Sequence, residues 1–311
     1  MTNDETSEGE WVRPFAVPIN IHFAREAADT LREYREMVAD GLDNVGVPST
    51  DSPIRSEMAW MQGIPDPVGS ARGSLHGMLL EVVGMSWDTA VDHVRALEHD
   101  IIRTPAPVWS PLVIARAVLE SCLLVDYLFE SPLSGATRLA RCAGLWRKDT
   151  DYSANFAKVL DQDQAATDLD AYVMAALDEC GIQARRNASG KITGYEVDGE
   201  HSNLDYNITG RTRERLPTWL PMPYGLLSGA AHGRPWMTDR ARSLAGEGAD
   251  LVGEAATVMT ALMVGMASLE MGLKSWQRYF GFDLDQVIEE MEQYRELMSL
   301  RLMGFAHRSD E

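Results

Sequence analysis

Cysteine is scarce in this chain, and no two cysteines are closely spaced. The 311 residues include three, Cys122, Cys142 and Cys180, and no Cys-x-x-Cys pair occurs. An odd, sparse set of thiols argues against a disulfide framework and favours a reducing compartment. The first ten residues are polar and acidic, with no basic stretch followed by an apolar run. We therefore expect a cytoplasmic protein without a secretory signal.

The chain also lacks a hydrophobic run long enough to cross a membrane. The longest apolar stretch without a charge extends from Ala255 to Leu269, between Glu254 and Glu270. A membrane-spanning helix needs about 20 apolar residues, so this stretch is too short. It predicts a buried core helix and no membrane contact.

Motifs that bind metals or cofactors are missing as well. A di-iron carboxylate bundle requires Glu-x-x-His on two helices, and the sequence contains no such motif. His93 and His99 are six residues apart, which places them on different faces of a helix. We expect neither a metal site nor a cofactor.

Basic residues are few relative to acidic ones. Lysine and arginine together number 28 against 47 aspartates and glutamates, which gives a formal net charge of −19 and a sequence pI of about 4.7. Such a surface repels phosphate backbones, so broad nucleic-acid binding is disfavoured. A local cluster of arginines could still bind a small anionic ligand.

The sequence has abundant helical periodicity, and 45% of its residues are hydrophobic. It contains no internal repeat and no alternation of strands with helices, which favours an all-α fold, a multi-helix bundle with a small β-hairpin insert. The expected organisation is as follows: 1–19 a flexible acidic N-terminal arm, 20–180 the first part of the bundle, 181–217 the hairpin and loop insert, 218–304 the second part of the bundle, and 305–311 a polar tail.

Capping signals predict where several helices begin. Asn20 is expected to cap the first helix, and Ser110-Pro111 to start the central helix. Ser86 is expected to separate two helices and to cap the second of them. That central helix is apolar nearly all round, as a buried helix should be. The remaining helices are expected at 134–147, 152–160, 164–180, 248–280 and 283–304.

The most informative segment is Tyr224-Gly-Leu-Leu-Ser228-Gly-Ala-Ala-His232-Gly233. Tyr224, Ser228 and His232 are spaced by four residues, so on a helix they share one face. The small residues among them would allow another backbone to approach closely. A neutral imidazole at His232 could act as a base or bind an anion. A Ser-His relay for acyl transfer is disfavoured, because both residues lie on one helix and no Gly-x-Ser-x-Gly elbow is present.

Partners for this polar stripe are available on the central helix and the helix that follows it. Arg116 and Glu120 can form a salt bridge within the central helix. Arg138 and Arg141 would share a face of the next helix and could reach Glu120 or Asp126. The cluster formed by Arg116, Glu120, Arg138, Arg141 and Tyr224 is either a structural network that fixes how the helices dock or the lining of a ligand pocket.

A second candidate pair lies near the end of the sequence. Arg301 precedes His307 by six residues, and on helical dimers such residues can converge to cleave RNA. The histidine then acts as acid and base while the arginine stabilises phosphate charge.

Taken together, three groups of residues resemble a widespread, uncharacterised all-helical family of actinobacteria, which is distantly similar to the HEPN-type superfamily of helical bundles. They are Ala115-Arg116-Ala-Val-Leu-Glu120, Arg138-Leu-Ala-Arg141 and Tyr224-x-x-x-Ser228-x-x-x-His232-Gly233. The resemblance implies a helical bundle, a homodimer and a link to ribonucleases of toxin, defence or stress systems, or to their inactive relatives. This sequence departs from the active pattern, because no arginine stands four to six residues before His232.

Three functions therefore stay open on sequence grounds. The first is a helical, homodimeric protein that binds a partner or a ligand without catalysis. The second is a metal-independent ribonuclease of the HEPN type. The third is a small-molecule enzyme that uses His232 with arginines as an anion clamp. The acidic charge and the missing arginine favour the first.

Overall fold

A computed structural model describes residues 19–218, 220, 223–234 and 254–307. It is an all-α bundle with one small antiparallel sheet, as the periodicity predicts. The described residues form the helices α1 (Ile21–Asp43), α2 (Pro53–Gln62), α3 (Val68–Ile101), α4 (Ser110–Phe129), α5 (Gly135–Val159), α6 (Asp163–Glu179), α7 (Ile208–Arg215), α8 (Pro223–Ala231), α9 (Ala255–Phe280) and α10 (Asp285–His307).

Helix α4 is the centre of the bundle and packs chiefly against α3 and α9. Every side chain from Val125 to Phe129 is buried, so the end of the helix is buried all round, as its apolar sequence predicts. Helix α9 comes close to α3, since a Cβ at Gly272 would lie 2.5 Å from the Trp87 ring. Gly281, at a φ of 66°, ends α9 in the left-handed conformation that glycine adopts readily.

By length and composition alone, α9 could cross a membrane. In the bundle, however, 83% of its most apolar window is buried against the rest of the protein. Core helices of soluble proteins have this character, so the long apolar stretch is explained by packing against α4.

The start of the first helix is as predicted, while two predicted breaks do not occur. Asn20 caps α1 by accepting a 2.7 Å hydrogen bond from the Phe23 backbone N–H. Ser86 caps nothing, because it lies inside the uninterrupted α3 and its hydroxyl donates to the Val82 carbonyl. A hydroxyl can satisfy itself in this way inside a helix, so a serine by itself does not mark a boundary.

The predicted break between 147 and 152 is also wrong, because α5 continues through it. Thr150 donates its hydroxyl to the Trp146 carbonyl, and Arg147 pairs with Asp151 at 2.7 Å along the helix. These local contacts satisfy the polar residues within the helix. At the start of α4, Ser110 lies in the first turn, and its hydroxyl donates to Asp100 rather than capping the helix.

The insert is larger than a hairpin. Strands β1 (Gln183–Arg186), β2 (Ile192–Val197) and β3 (Glu200–Asn203) form an antiparallel sheet in that order. Helix α7 follows, so the 181–217 insert contains a third strand and a helix where a hairpin and loop are expected. Tyr195 and Val197 of β2 are fully buried.

Polar contacts hold the sheet against the helices. Arg72 of α3 forms a two-point ion pair with Asp198, at 2.7 and 2.8 Å. Tyr206, after the sheet, stacks on Tyr127 of α4 with the ring centroids 5.0 Å apart. The insert is therefore docked on the bundle, and it brings α7 against α4.

Some expectations fall outside the described residues. They are the N-terminal arm up to residue 18, the start of the predicted 248–280 helix, and residues 308–311 of the polar tail.

Candidate functional site: a polar seam along α4

The predicted pair on the central helix meets the stripe on α8. Arg116 Nε lies 2.7 Å from Glu120 Oε1, and its Nη2 donates to the Tyr224 hydroxyl at 3.2 Å. That hydroxyl in turn donates to Glu120 Oε1 at 3.1 Å. Burial, and then the charge of Glu120, raise the pKa of Tyr224. These three side chains form a closed ring of hydrogen bonds that joins α8 to α4.

His232 lies at the exposed end of the same stripe. Its Nε2 is 3.4 Å from Arg116 Nη1. A guanidinium can only donate, so in this contact Nε2 is the acceptor and the imidazole proton is on Nδ1. Ser228 lies half-buried one turn earlier, and its backbone carbonyl accepts from the His232 N–H at 3.1 Å. His232 is thus an accessible imidazole with one arginine beside it.

Arg138 and Arg141 do not reach Glu120 or Asp126, contrary to the sequence-based expectation. Arg141 pairs with Glu130 at the end of α4, with a distance of 2.7 Å. Arg138 is buried, and it donates to the Leu128 and Glu130 backbone carbonyls and to Glu57 instead of to the Glu130 carboxylate. The two residues are three apart on α5, and that separation is enough to send their long side chains to different neighbours.

A group of four arginines occupies the other end of α4, and we call it the arginine cluster. Two carboxylates, Asp126 and Glu130, lie at its centre. The arginines around them are Arg141 of α5, Arg211 and Arg215 of α7, and Arg278 of α9.

Within the cluster, Asp126 is fully buried and accepts hydrogen bonds from three side chains on two helices, α7 and α9. Arg211 Nη2 donates to its Oδ2 at 2.8 Å, while Arg278 Nη2 and the Ser275 hydroxyl donate to Oδ1 at 3.0 and 3.1 Å. A buried carboxylate requires such partners, because an unpaired charge in the interior is very costly.

Glu130 is held in the charged form by the same arginines. Burial by itself would raise its pKa, but the hydrogen bond from Arg141 and the charges of Arg211 and Arg215 outweigh this effect. The result is a pKa below the usual range for glutamate. The cluster therefore sets four arginines against two carboxylates.

Tyr206 connects the arginine cluster to the ring around Arg116. It stacks on Tyr127, and Arg141 and Arg211 lie 4.2 and 5.1 Å from the Tyr127 ring centroid. Burial raises the Tyr206 pKa to about 12, and the next contribution is the charge of Glu120. The two groups thus form one polar seam between α4 and the helices α7 and α8.

Two donors in the arginine cluster have no acceptor in the part of the chain that the structure describes. The Nε–H groups of Arg211 and Arg215 are buried and make no hydrogen bond within the described part of the chain. Arg215 Nε is 2.9 Å from Asp126 Oδ2, but this close approach is not a hydrogen bond because the N–H is not directed at the oxygen. The cluster is short of acceptors as well as rich in positive charge.

A separate polar network lies in the interior, where Arg138 ends. Its Nε donates to Glu57 Oε1 at 2.9 Å, and its guanidinium carbon is 4.7 Å from the Tyr279 ring centroid. The Tyr279 hydroxyl donates to Glu57 Oε2 at 2.8 Å, and His76 Nε2 lies 2.8 Å from that hydroxyl. Burial, together with the Glu57 charge, raises the pKa of Tyr279 well above its usual value. This network joins α2, α3, α5 and α9.

The pair near the end of the chain is only partly described. Arg301 Nη2 lies 2.6 Å from Glu26 Oε1, so it contacts α1 of its own chain. The side chain of His307 lies outside the described residues. Convergence of these two residues stays a prediction.

Sequence reasoning missed about half of the seam. Sequence reasoning identifies Asp126 only as a possible partner of Arg138 and Arg141. It does not single out Glu130, Arg211, Arg215 or Arg278. Arg211 and Arg215 have the i, i+4 spacing that places two arginines on one helix face, and this signal was available. The described residues contain no group of three or more His, Cys, Asp and Glu side chains that could hold a metal ion.

Comparison with protein-family models, with curated proteins and with solved structures gave no match.

Proposed function

We propose that this chain is a helical ligand-binding protein whose arginine cluster binds a small oxyanion, the carboxylate or phosphate group of a small molecule. The observation that carries the proposal is the imbalance in the cluster. Four guanidinium groups surround two carboxylates, and two buried Nε–H donors lack acceptors among the described residues.

The imbalance favours an anion for an energetic reason. Burying a donor without an acceptor costs about 1–3 kcal/mol, and more for a charged group. A bound oxyanion would bring acceptor oxygens and offset the excess positive charge. Arginine suits this task because its planar fork matches the geometry of carboxylate and phosphate.

The exposure of Arg215 and Arg278 supports a binding edge at these two residues. The side chains of these residues are 27% and 40% exposed, whereas Arg211 is 11% exposed and Asp126 is fully buried. An anion arriving from solvent would therefore meet Arg215 and Arg278 first. Against a net charge of −19, this local excess of positive charge would draw small anions to one place.

The test is titration of the protein with inorganic phosphate by isothermal calorimetry at low salt. We expect saturable binding to the wild type, and about tenfold weaker binding for Arg215→Gln and Arg278→Gln, since a charge-assisted hydrogen bond contributes about 1.5–3 kcal/mol. Arg213→Gln is the matched control, because Arg213 is exposed on the same helix and the substitution removes the same charge.

Two results would reject the proposal. One is the absence of saturable phosphate binding at millimolar concentrations. The other is an equal loss of affinity in Arg213→Gln, which would mean that phosphate responds only to overall charge. Circular dichroism of each variant confirms that the helices are retained.

A further inference from the structure

A pocket of about 430 Å³ opens between α2 and α3, away from the polar seam. Its walls combine sulfur-bearing and aliphatic side chains with a few polar groups. The lining residues that matter here are Met58, Met61, Asp66, Gly73, His76, Gly77 and Leu80.

The polar group at the inner end is His76, which is 5% exposed. Its Nε2 is 3.2 Å from Glu57 Oε2 and 2.8 Å from the Tyr279 hydroxyl. A carboxylate can only accept, and the tyrosine donates its single proton to Glu57. Both contacts therefore place the imidazole proton on Nε2.

With the proton on Nε2, the other ring nitrogen of a neutral His76 is an acceptor. Nδ1 makes no hydrogen bond within the described part of the chain, and the imidazole to which it belongs lines the pocket. A ligand in the pocket could therefore donate to this nitrogen. Glu57 and Tyr279 hold the ring in this orientation, because the hydrogen bonds at one ring nitrogen determine which nitrogen carries the proton.

The rest of the lining favours positive charge. Asp66 places a carboxylate at the exposed side of the pocket, and no lysine or arginine is among the described lining residues. The apolar wall of Met58, Met61 and Leu80 suits a hydrophobic body, and methionine adapts to varied shapes. This charge pattern is opposite to that of the arginine cluster.

Two glycines keep the pocket open. A Cβ at Gly73 or Gly77 would meet no atom within 4 Å, so the space beside α3 is free. Glycine inside a helix costs roughly 0.5–1 kcal/mol relative to alanine. A side chain at either position would begin in free space beside the pocket.

We propose that this pocket is a second binding site, for a small amphiphilic amine. The apolar body of the ligand packs against the methionines and Leu80, the amine N–H donates to His76 Nδ1, and Asp66 attracts the ammonium charge. Binding here is independent of the arginine cluster.

Three probes with the same body and different head groups test the assignment: 4-phenylbutylamine, 4-phenylbutanol and 4-phenylbutyrate. Each is titrated by calorimetry into the full-length protein. We expect saturable binding of the amine, weaker binding of the alcohol, and no binding of the carboxylate at this pocket. Binding of the alcohol as tight as that of the amine would overturn the assignment, as would equally tight binding of the carboxylate that Gly77→Leu abolishes, or absence of amine binding.

Variants then test whether the amine binds in this pocket. Gly77→Leu should abolish binding while the helix is retained, because leucine is the better helix former. Gly84→Leu on the same helix is the control, since Gly84 is equally free of neighbours but does not line the pocket. Asp66→Asn should weaken the amine severalfold and leave the alcohol unchanged. Amine binding that survives Gly77→Leu at full strength would refute the site.

Discussion

Arg138 Nε donates to Glu57 Oε1 across 2.9 Å in the interior of the bundle, and the two side chains are 1% and 5% exposed. Removal of either partner leaves a buried charge without compensation, which costs about 3–5 kcal/mol. We expect Glu57→Leu and Arg138→Met each to lower the free energy of unfolding by that amount, as measured by urea denaturation.

The double variant distinguishes the pair from its surroundings. Glu57→Leu/Arg138→Met should lose clearly less than the sum of the single losses, because neither charge is then left alone. Arg32→Met is the control, since the Arg32–Asp29 pair is about half exposed and such pairs contribute about 0–1 kcal/mol. Strictly additive losses would show that Glu57 and Arg138 do not act as a pair.

Glu130 should make stability depend on pH. Its pKa is lowered in the folded state by Arg141, Arg211 and Arg215, in spite of its burial. The stabilisation is therefore complete above the ordinary glutamate pKa of about 4.3 and is lost as pH falls through the lower folded pKa. Glu130→Gln should lower the free energy of unfolding by about 1–3 kcal/mol at neutral pH.

Urea denaturation at a series of pH values checks this expectation. The difference between wild type and Glu130→Gln should shrink as pH falls below about 4. Glu214→Gln, at an exposed position on α7, should follow the wild type throughout. A difference between wild type and Glu130→Gln that stays constant into acid would contradict the assignment of Glu130 as an arginine-stabilised carboxylate.

Self-association is the other expectation from sequence, and one surface feature favours it. A row of apolar residues with helical spacing lies at the end of α5 and directly after it. Their side chains are between 51% and 78% exposed: Tyr152, Phe156, Val159 and Leu160. A contiguous apolar stripe of this kind often marks an interaction surface. We propose that a second copy of the chain covers it, in line with the predicted homo-oligomer.

Sedimentation equilibrium measures this directly. Phe156→Glu should convert the oligomer to a monomer, while Leu300→Glu, at an equally exposed apolar position on α10, should not. A wild type that is monomeric at all protein concentrations would exclude the stripe as a self-association surface.

The regular features of the fold follow from local sequence. The apolar sequence of α4, the Asn20 cap and the hairpin predicted within 181–217 are local signals, and each corresponds to an element of the structure. Boundaries within α3 and α5 were mispredicted because Ser86 and Thr150 satisfy their hydroxyls inside the helix. Helix α2 was overlooked although Ser52-Pro53 has the same start signal as Ser110-Pro111.

The sequence by itself determined an acidic helical bundle and paired Arg116 with Glu120, because helix spacing and burial depend on residues close in the chain. Only the tertiary structure decided which charges meet. Arg138 joins Glu57 across 81 positions, and Arg211 joins Asp126 across 85. Long arginine side chains can reach several helices, and the docking of those helices, which depends on the packing of the whole core, selects the carboxylate that each one finds.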